Sequence, residues 1–137
     1  MQTILVLLSL LLASLVSAEP LLKTSTSWDG GAFAYPSGQA EVTSIILRIE
    51  EGQDPPFHCH PVPTMGYTLQ GVVEVETTSG KKITVRGGEP LVEVMRTVHR
   101  GRAVEGPAEI LVFYAGAEGV PVTVFPEDDP EGKYCDF

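Results

Sequence analysis

Of its 137 residues the chain has only three histidines, two cysteines and one tryptophan, and its 9 basic residues face 18 acidic ones. The basic residues form no cluster, and a net charge of -9 repels phosphate backbones, so nucleic acid is not an expected partner. No glycine-rich phosphate loop, nucleophile elbow or paired zinc-finger cysteines occur, and the serines and cysteines have no evident catalytic partner. Helical periodicity is missing beyond the N-terminus, which argues against a bundle or an α/β domain. Nor does any second apolar run approach membrane-spanning length, so no span is expected once the N-terminal run is removed.

That N-terminal run spans residues 4–12, in an uncharged stretch of eighteen that ends Val16-Ser17-Ala18. The small-residue end suits signal peptidase, so residues 1–18 are read as a secretory signal peptide and the mature protein as periplasmic or secreted. An N-terminal anchor is the alternative, for which the run is short and is followed at once by Glu19 and Pro20. What remains, roughly 119 residues, suffices for one domain with one core. In an oxidising compartment Cys59 and Cys135 either join as a disulfide or persist as a buried thiol and a loose thiol near the C-terminus.

The organisation follows from turn residues and period-two alternation. Residues 19–40 are rich in Ser, Thr and Gly and are expected to wrap the domain. From Glu41 the pattern alternates, with Ile45, Leu47 and Ile49 on one face and Ser44, Arg48 and Glu50 on the other, as in a half-buried strand. Short apolar runs follow at 66–69, 72–76, 83–85, 91–94, 109–114 and 120–125, separated by turn signals such as Pro55-Pro56, Gly87-Gly88 and Gly106-Pro107. Many short strands punctuated by Gly and Pro indicate an all-β barrel or double-sheet jelly roll over residues 41–126. Residues 127–137 read as an acidic, solvated tail.

The histidines are placed as metal ligands. His58 and His60 are two apart, so in an extended strand they point the same way with Cys59 opposite, and the lone His99 follows about forty residues later. The surrounding spacing is Gly52, five residues, His58, one residue, His60, three residues, Thr64, six residues, Gly71. After sixteen more residues Gly88 opens a looser segment carrying His99, with Val94, Arg96 and Ala103 at intermediate positions. This arrangement resembles the two motifs of the cupin superfamily over residues 40–125. Thr64 stands where the family usually has a metal-ligating glutamate, and Val94, Arg96 and Ala103 stand for its proline, second glycine and asparagine.

The resemblance implies a double-stranded β-helix, that is, a jelly-roll barrel, holding a divalent transition metal (Fe, Mn, Zn, Ni or Cu) on His58, His60 and His99. Glu93 lies six residues before His99 in an otherwise apolar run. It is read as a substitute ligand or a hydrogen-bond partner of a ligand ring, the other reading being a solvent-facing charge. Thr64, Tyr67 and Gln70 are pocket candidates, with Tyr67 alternatively filling the core. Arg100 and Arg102 either attract an anionic ligand or are exposed strand residues. Two functions are consistent with these residues: a small metalloenzyme of dioxygenase, isomerase or lyase type acting on a small molecule, or a non-catalytic ligand-binding or sensing module with a structural metal. Small cupins are often dimers, so a homodimer is a further expectation.

Overall fold

The computed structural model describes residues 16–137. Of the expected signal peptide, residues 1–15 lie outside the described residues and Val16–Ala18 are exposed. Seven strands follow: β1 (Ala40–Ile49), β2 (Thr64–Gln70), β3 (Val72–Thr77), β4 (Lys82–Arg86), β5 (Pro90–Val92), β6 (His99–Ala103) and β7 (Ala108–Ala117). They form two antiparallel sheets, β1-β7-β2-β5 and β4-β3-β6. The architecture is the all-β double-stranded β-helix expected from the alternating runs. Among the described residues no helix is long and apolar enough to cross a membrane.

Register explains which side chains face inward. Ile45, Leu47 and Ile49 pair with Val112, Ile110 and Ala108, and Thr64, Gly66 and Thr68 pair with Tyr114, Val112 and Ile110. Because side chains alternate along a strand, all of these share the sheet's inner face. At the closed end Ile49, Val73, Val75, Ala103 and Ala108 form a core. Ile45 and Leu47 remain 39% and 40% exposed although they face inward. They line an open cavity instead of packing into the core, so β1 is an edge strand buried only at Ile49.

One expected strand is missing, and one strand lacks the apolar signal used to find the others. Residues 120–125 do not form a strand; only Val124 makes a bridge, to Cys59. Conversely β6, with the sequence HRGRA, has no apolar run and is held by charge. Arg100 and Arg102 lie opposite Glu76 and Glu74 of β3, with ion pairs of 2.8 and 2.9 Å, and Lys82 of β4 joins both glutamates. Cross-strand opposite charges stabilise a sheet face. The two arginines therefore serve the outer surface of the barrel.

The C-terminal segment is not a solvated tail. The Asp129 side chain accepts hydrogen bonds from the backbone N–H groups of Lys133, Tyr134 and Cys135, and Cys135 is joined to Cys59 with a Cα–Cα distance of 5.7 Å. Cys59, Val98, Val124 and Cys135 make a second buried cluster on the outside of the barrel wall. The acidic residues disguise a segment anchored by one buried cystine and one buried carboxylate.

At Gly71 the chain turns from β2 into β3 with φ +81°, and a Cβ there would collide with the carbonyl oxygen of Pro107. Only glycine meets both requirements. The N-terminal wrap packs against β5, where the Trp28 N–H donates to the Val92 carbonyl at 2.9 Å.

Candidate metal centre

The segment carrying His58 and His60 is held on both of its edges. His58 and His99 exchange backbone hydrogen bonds of 2.9 and 2.8 Å, and the His60 carbonyl accepts from the Arg96 N–H at 2.7 Å. On the other edge Cys59 and Val124 exchange bonds of 2.9 and 3.0 Å. Alternation then sends Cys59 outward to its disulfide and both imidazoles inward. His60 and His99 are buried and His58 is half-buried.

Arg96 occupies the position read above as the second motif's missing glycine, and its φ is +65°. A left-handed conformation costs a non-glycine residue about 1–2 kcal/mol. The guanidinium offsets that cost by donating to Asp136 Oδ1 and the Lys133 carbonyl, each at 3.0 Å, and the Arg96 carbonyl accepts from the Asp136 N–H at 2.9 Å. One residue thereby links the ligand strand to the C-terminal segment.

Each imidazole has its Nδ1 against a backbone carbonyl: His58 on Pro56 at 3.1 Å, His60 on Val122 at 2.8 Å and His99 on Thr97 at 2.8 Å. A carbonyl oxygen only accepts, so each Nδ1 carries the proton and each Nε2 keeps a free lone pair. Burial, with further contributions from neighbouring imidazoles, pushes His58 down to about 4 and His60 well below the ordinary 6.5. Both rings are consequently neutral at physiological pH, as ligation requires. The ring centroids lie 4.8 to 5.0 Å apart, and the ligand nitrogens fall within 4.8 Å of one another. Metal–nitrogen bonds of about 2.1 Å hold nitrogens roughly 3–4 Å apart, so modest ring rotation brings the three onto one ion. By number, tautomer and position these residues fit a divalent transition metal.

Glu93 follows β5, and its N–H donates to the Thr64 carbonyl at 2.9 Å. Its carboxylate lies 3.7 Å from His99 Nε2 and accepts from Trp28 Nε1 at 3.3 Å. The carboxylate therefore lies beside the histidine cluster, held by Trp28 of the N-terminal wrap. Thr64 lines the same cavity but commits its hydroxyl to the Val62 carbonyl at 3.1 Å. Tyr67 and Gln70 are not among the cavity-lining residues. Tyr67 is on the outer face with Met65, because residues 64, 66 and 68 take the inner one, and Gln70 is exposed beyond a register shift between Thr68 and Gln70.

Two residues of the site lack any signal in the motifs. Tyr114 stacks edge-on to His60 at 5.4 Å between ring centroids, and Thr123 has its hydroxyl 3.4 Å from His60 Nδ1. Burial raises the Tyr114 phenol above its ordinary 10, and the Glu93 charge acts in the same direction against a hydrogen bond with Thr123. The phenol therefore stays protonated. Alternation of Ile110, Val112 and Tyr114 along β7 is the pattern that identifies Tyr114; Thr123 sits on irregular backbone and has no such pattern.

The histidines, Glu93 and Tyr114 all line one cavity of about 600 Å³ between the two sheets. That size is ordinary for a small-molecule site.

Residues 45–114 match the family model of the cupin domain. No match is found among curated protein sequences. Among solved structures, the DMSP lyase DddQ of Ruegeria pomeroyi is similar with a TM-score of 0.56 and 22% identity, over 73% of this chain and 48% of that one. An oxalate decarboxylase of Lactobacillus farciminis in complex with formate gives 0.53 and 17%, over 64% of this chain and 27% of that one. A Klebsiella pneumoniae protein with a double-stranded β-helix domain gives 0.52 and 15%, over 68% and 81%. At such identities the likeness is one of fold, and the chain spans under half of the lyase and less of the decarboxylase. The motif spacing, the two-sheet barrel and a family match across half of the sequence agree: the chain belongs to the cupin superfamily.

Proposed function

We propose that this chain is an exported metalloprotein in which His58, His60 and His99 hold a divalent transition metal and the cavity admits a small organic molecule to it, for chemistry of the dioxygenase or isomerase type. The observation that supports this best is the set of three Nε2 lone pairs facing a cavity of about 600 Å³. When bound, such a metal supplies Lewis acidity and, if redox-active, electron transfer. The chain's own residues do the rest. Glu93, held by Trp28, places negative charge beside His99 and serves as an additional ligand or proton acceptor. Tyr114 presents a protonated phenol to the same space. Apolar walls exclude water around whatever binds.

A module with a purely structural metal would close its coordination shell with protein ligands. Histidines on the wall of an accessible cavity favour substrate access instead. Export is supported by the uncharged apolar N-terminus and by the Cys59–Cys135 disulfide, since such bonds persist in oxidising compartments.

The test is elemental analysis of protein recovered from the envelope fraction, followed by cobalt substitution and titration with azide. The expected results are one equivalent of a transition metal, an intact mass beginning at Glu19 and a changed cobalt spectrum with azide. Absence of metal would overturn the metal reading, and a spectrum indifferent to azide would favour the structural-metal module.

A further inference from the structure

Most buried polar side chains of the cavity form one connected cluster, while the exposed Arg48, Gln53 and Asp54 border it. His58, His60, His99, Glu93, Tyr114 and Thr123 are linked by the contacts given above, whereas the far wall is built of Ile49, Val73, Val75, Val85, Leu91 and Ile110, with Thr68 the polar exception. Both walls also carry an inward glycine. Gly66 on β2 and Gly101 on β6 line the cavity, and neither has a positive φ. A Cβ built on Gly66 would meet the Ile110 side chain at 3.4 Å, and one on Gly101 the side chains of Val73 at 3.4 Å and Val75 at 3.9 Å, with no backbone atom in the way. These glycines are therefore not demanded by the backbone; they leave room in the chamber.

Cations are as unevenly placed. Arg48 is the one basic side chain bordering the cavity, and it is 64% exposed and paired with Glu109 at 2.8 Å. Arg100 and Arg102 are engaged with Glu74, Glu76 and Asp54 on the barrel exterior. Among the described residues no buried cation lines the chamber to meet a second anionic group, Glu93 opposes one, and the net charge of -9 disfavours dianions at long range.

We infer that the site selects an amphipathic molecule: one oxygen-donor head that ligates the metal, and a hydrocarbon or aromatic body without a second charge that fills the chamber between Gly66 and Gly101. This specificity rests on the metal reading for its head and on the chamber alone for its body. Small dicarboxylates are poor occupants, since one of their charges would lie against valine and isoleucine with no partner.

The test uses straight-chain alkyl hydroxamates from two to eight carbons on the cobalt-loaded protein, with a six-carbon hydroxamate ending in a carboxylate as the doubly charged comparison, read by calorimetry and by the cobalt spectrum. Affinity is expected to rise about fourfold per methylene until the chamber is full, with the carboxylate-ended chain weaker than the plain six-carbon hydroxamate. Gly101→Leu is expected to end that rise at a shorter chain while leaving cobalt stoichiometry and acetohydroxamate affinity unchanged. Gly66→Val does the same from the opposite wall if Gly101→Leu does not fold. The same chain-length series of primary alcohols on metal-free protein separates the two readings. Loss of cobalt binding with a persisting alcohol trend removes the metal reading and keeps the apolar chamber. Affinity independent of chain length in both series, or the carboxylate-ended chain binding at least as tightly as the plain six-carbon hydroxamate, overturns the inference.

Discussion

His58 and His99 sit directly opposite each other and exchange both backbone hydrogen bonds, at 2.9 and 2.8 Å. Residues opposed in this way carry their side chains to the same face. The ladder itself thus brings together two imidazoles that are far apart in sequence, and His60 joins them because it is two residues from His58. The side chains are held separately, each by its own carbonyl on Nδ1.

From this it follows that replacing any one imidazole removes a ligand without removing the backbone that carries it. His58→Ala, His60→Ala and His99→Ala are expected to fold and to lose most of their metal affinity, measured by calorimetry and elemental analysis. Full stoichiometry and affinity in any one of them would show that the three-histidine site is wrong.

Glu93→Gln keeps the shape and the acceptor for Trp28 but removes the charge beside His99. Loss of a carboxylate next to a ligand typically costs about 10–100-fold in metal affinity or activity. We expect a change in that range, whereas Thr64→Ala should leave metal affinity near wild type, because its hydroxyl serves the Val62 carbonyl. Wild-type affinity in Glu93→Gln would reduce that residue to an anchor for the wrap.

The histidine cluster was legible in the sequence because metal chemistry needs particular residue types and the His-x-His spacing needs only period-two alternation. Parity from His58 and His60 puts the odd-numbered Tyr67 on the outer face, and the structure keeps that parity across the bend at 61–62. Strand β6 lacked the apolar signature because its order comes from arginines that meet glutamates of another strand, a pairing visible only once register is known. The tail misled for the opposite reason. Its acidic composition suggests solvation, yet a single carboxylate, Asp129, folds it back by satisfying three backbone N–H groups.

Acid should weaken the metal-free fold. His58 titrates near 4 in the folded chain and His60 well below 6.5, while both return to about 6.5 on unfolding. Between these values the unfolded chain binds more protons, so stability rises with pH and is lost as pH falls from about 6.5 toward about 4. His58 and His60 face each other, His99 and the Tyr114 phenol, and the phenol, held above its ordinary 10, stays protonated throughout this window. Urea denaturation of chelator-treated protein at pH 7.5, 6 and 5 measures the slope. His58→Gln should flatten it, and an unchanged slope in that variant would assign the acid sensitivity to other groups.

The Cys59–Cys135 bond should matter to the metal as well as to stability. It closes a sequence separation of 76 residues, and opening a cross-link of that kind costs about 2–4 kcal/mol. Cys59 lies between His58 and His60 and points away from them, so the bond also fixes the segment whose other face carries those two imidazoles. Arg96 provides a second tie from the same C-terminal segment to the His60 carbonyl. Cys135→Ser is therefore expected to lower the denaturation midpoint and to weaken metal affinity, the latter by less than loss of an imidazole. The joint variant Cys59→Ala/Cys135→Ala removes any unpaired thiol and should reproduce both effects. If it were destabilised but bound metal as tightly as wild type, the disulfide would be a staple for the C-terminal segment alone, and the ligand strand would owe its position to the His99, Arg96 and Val124 backbone bonds.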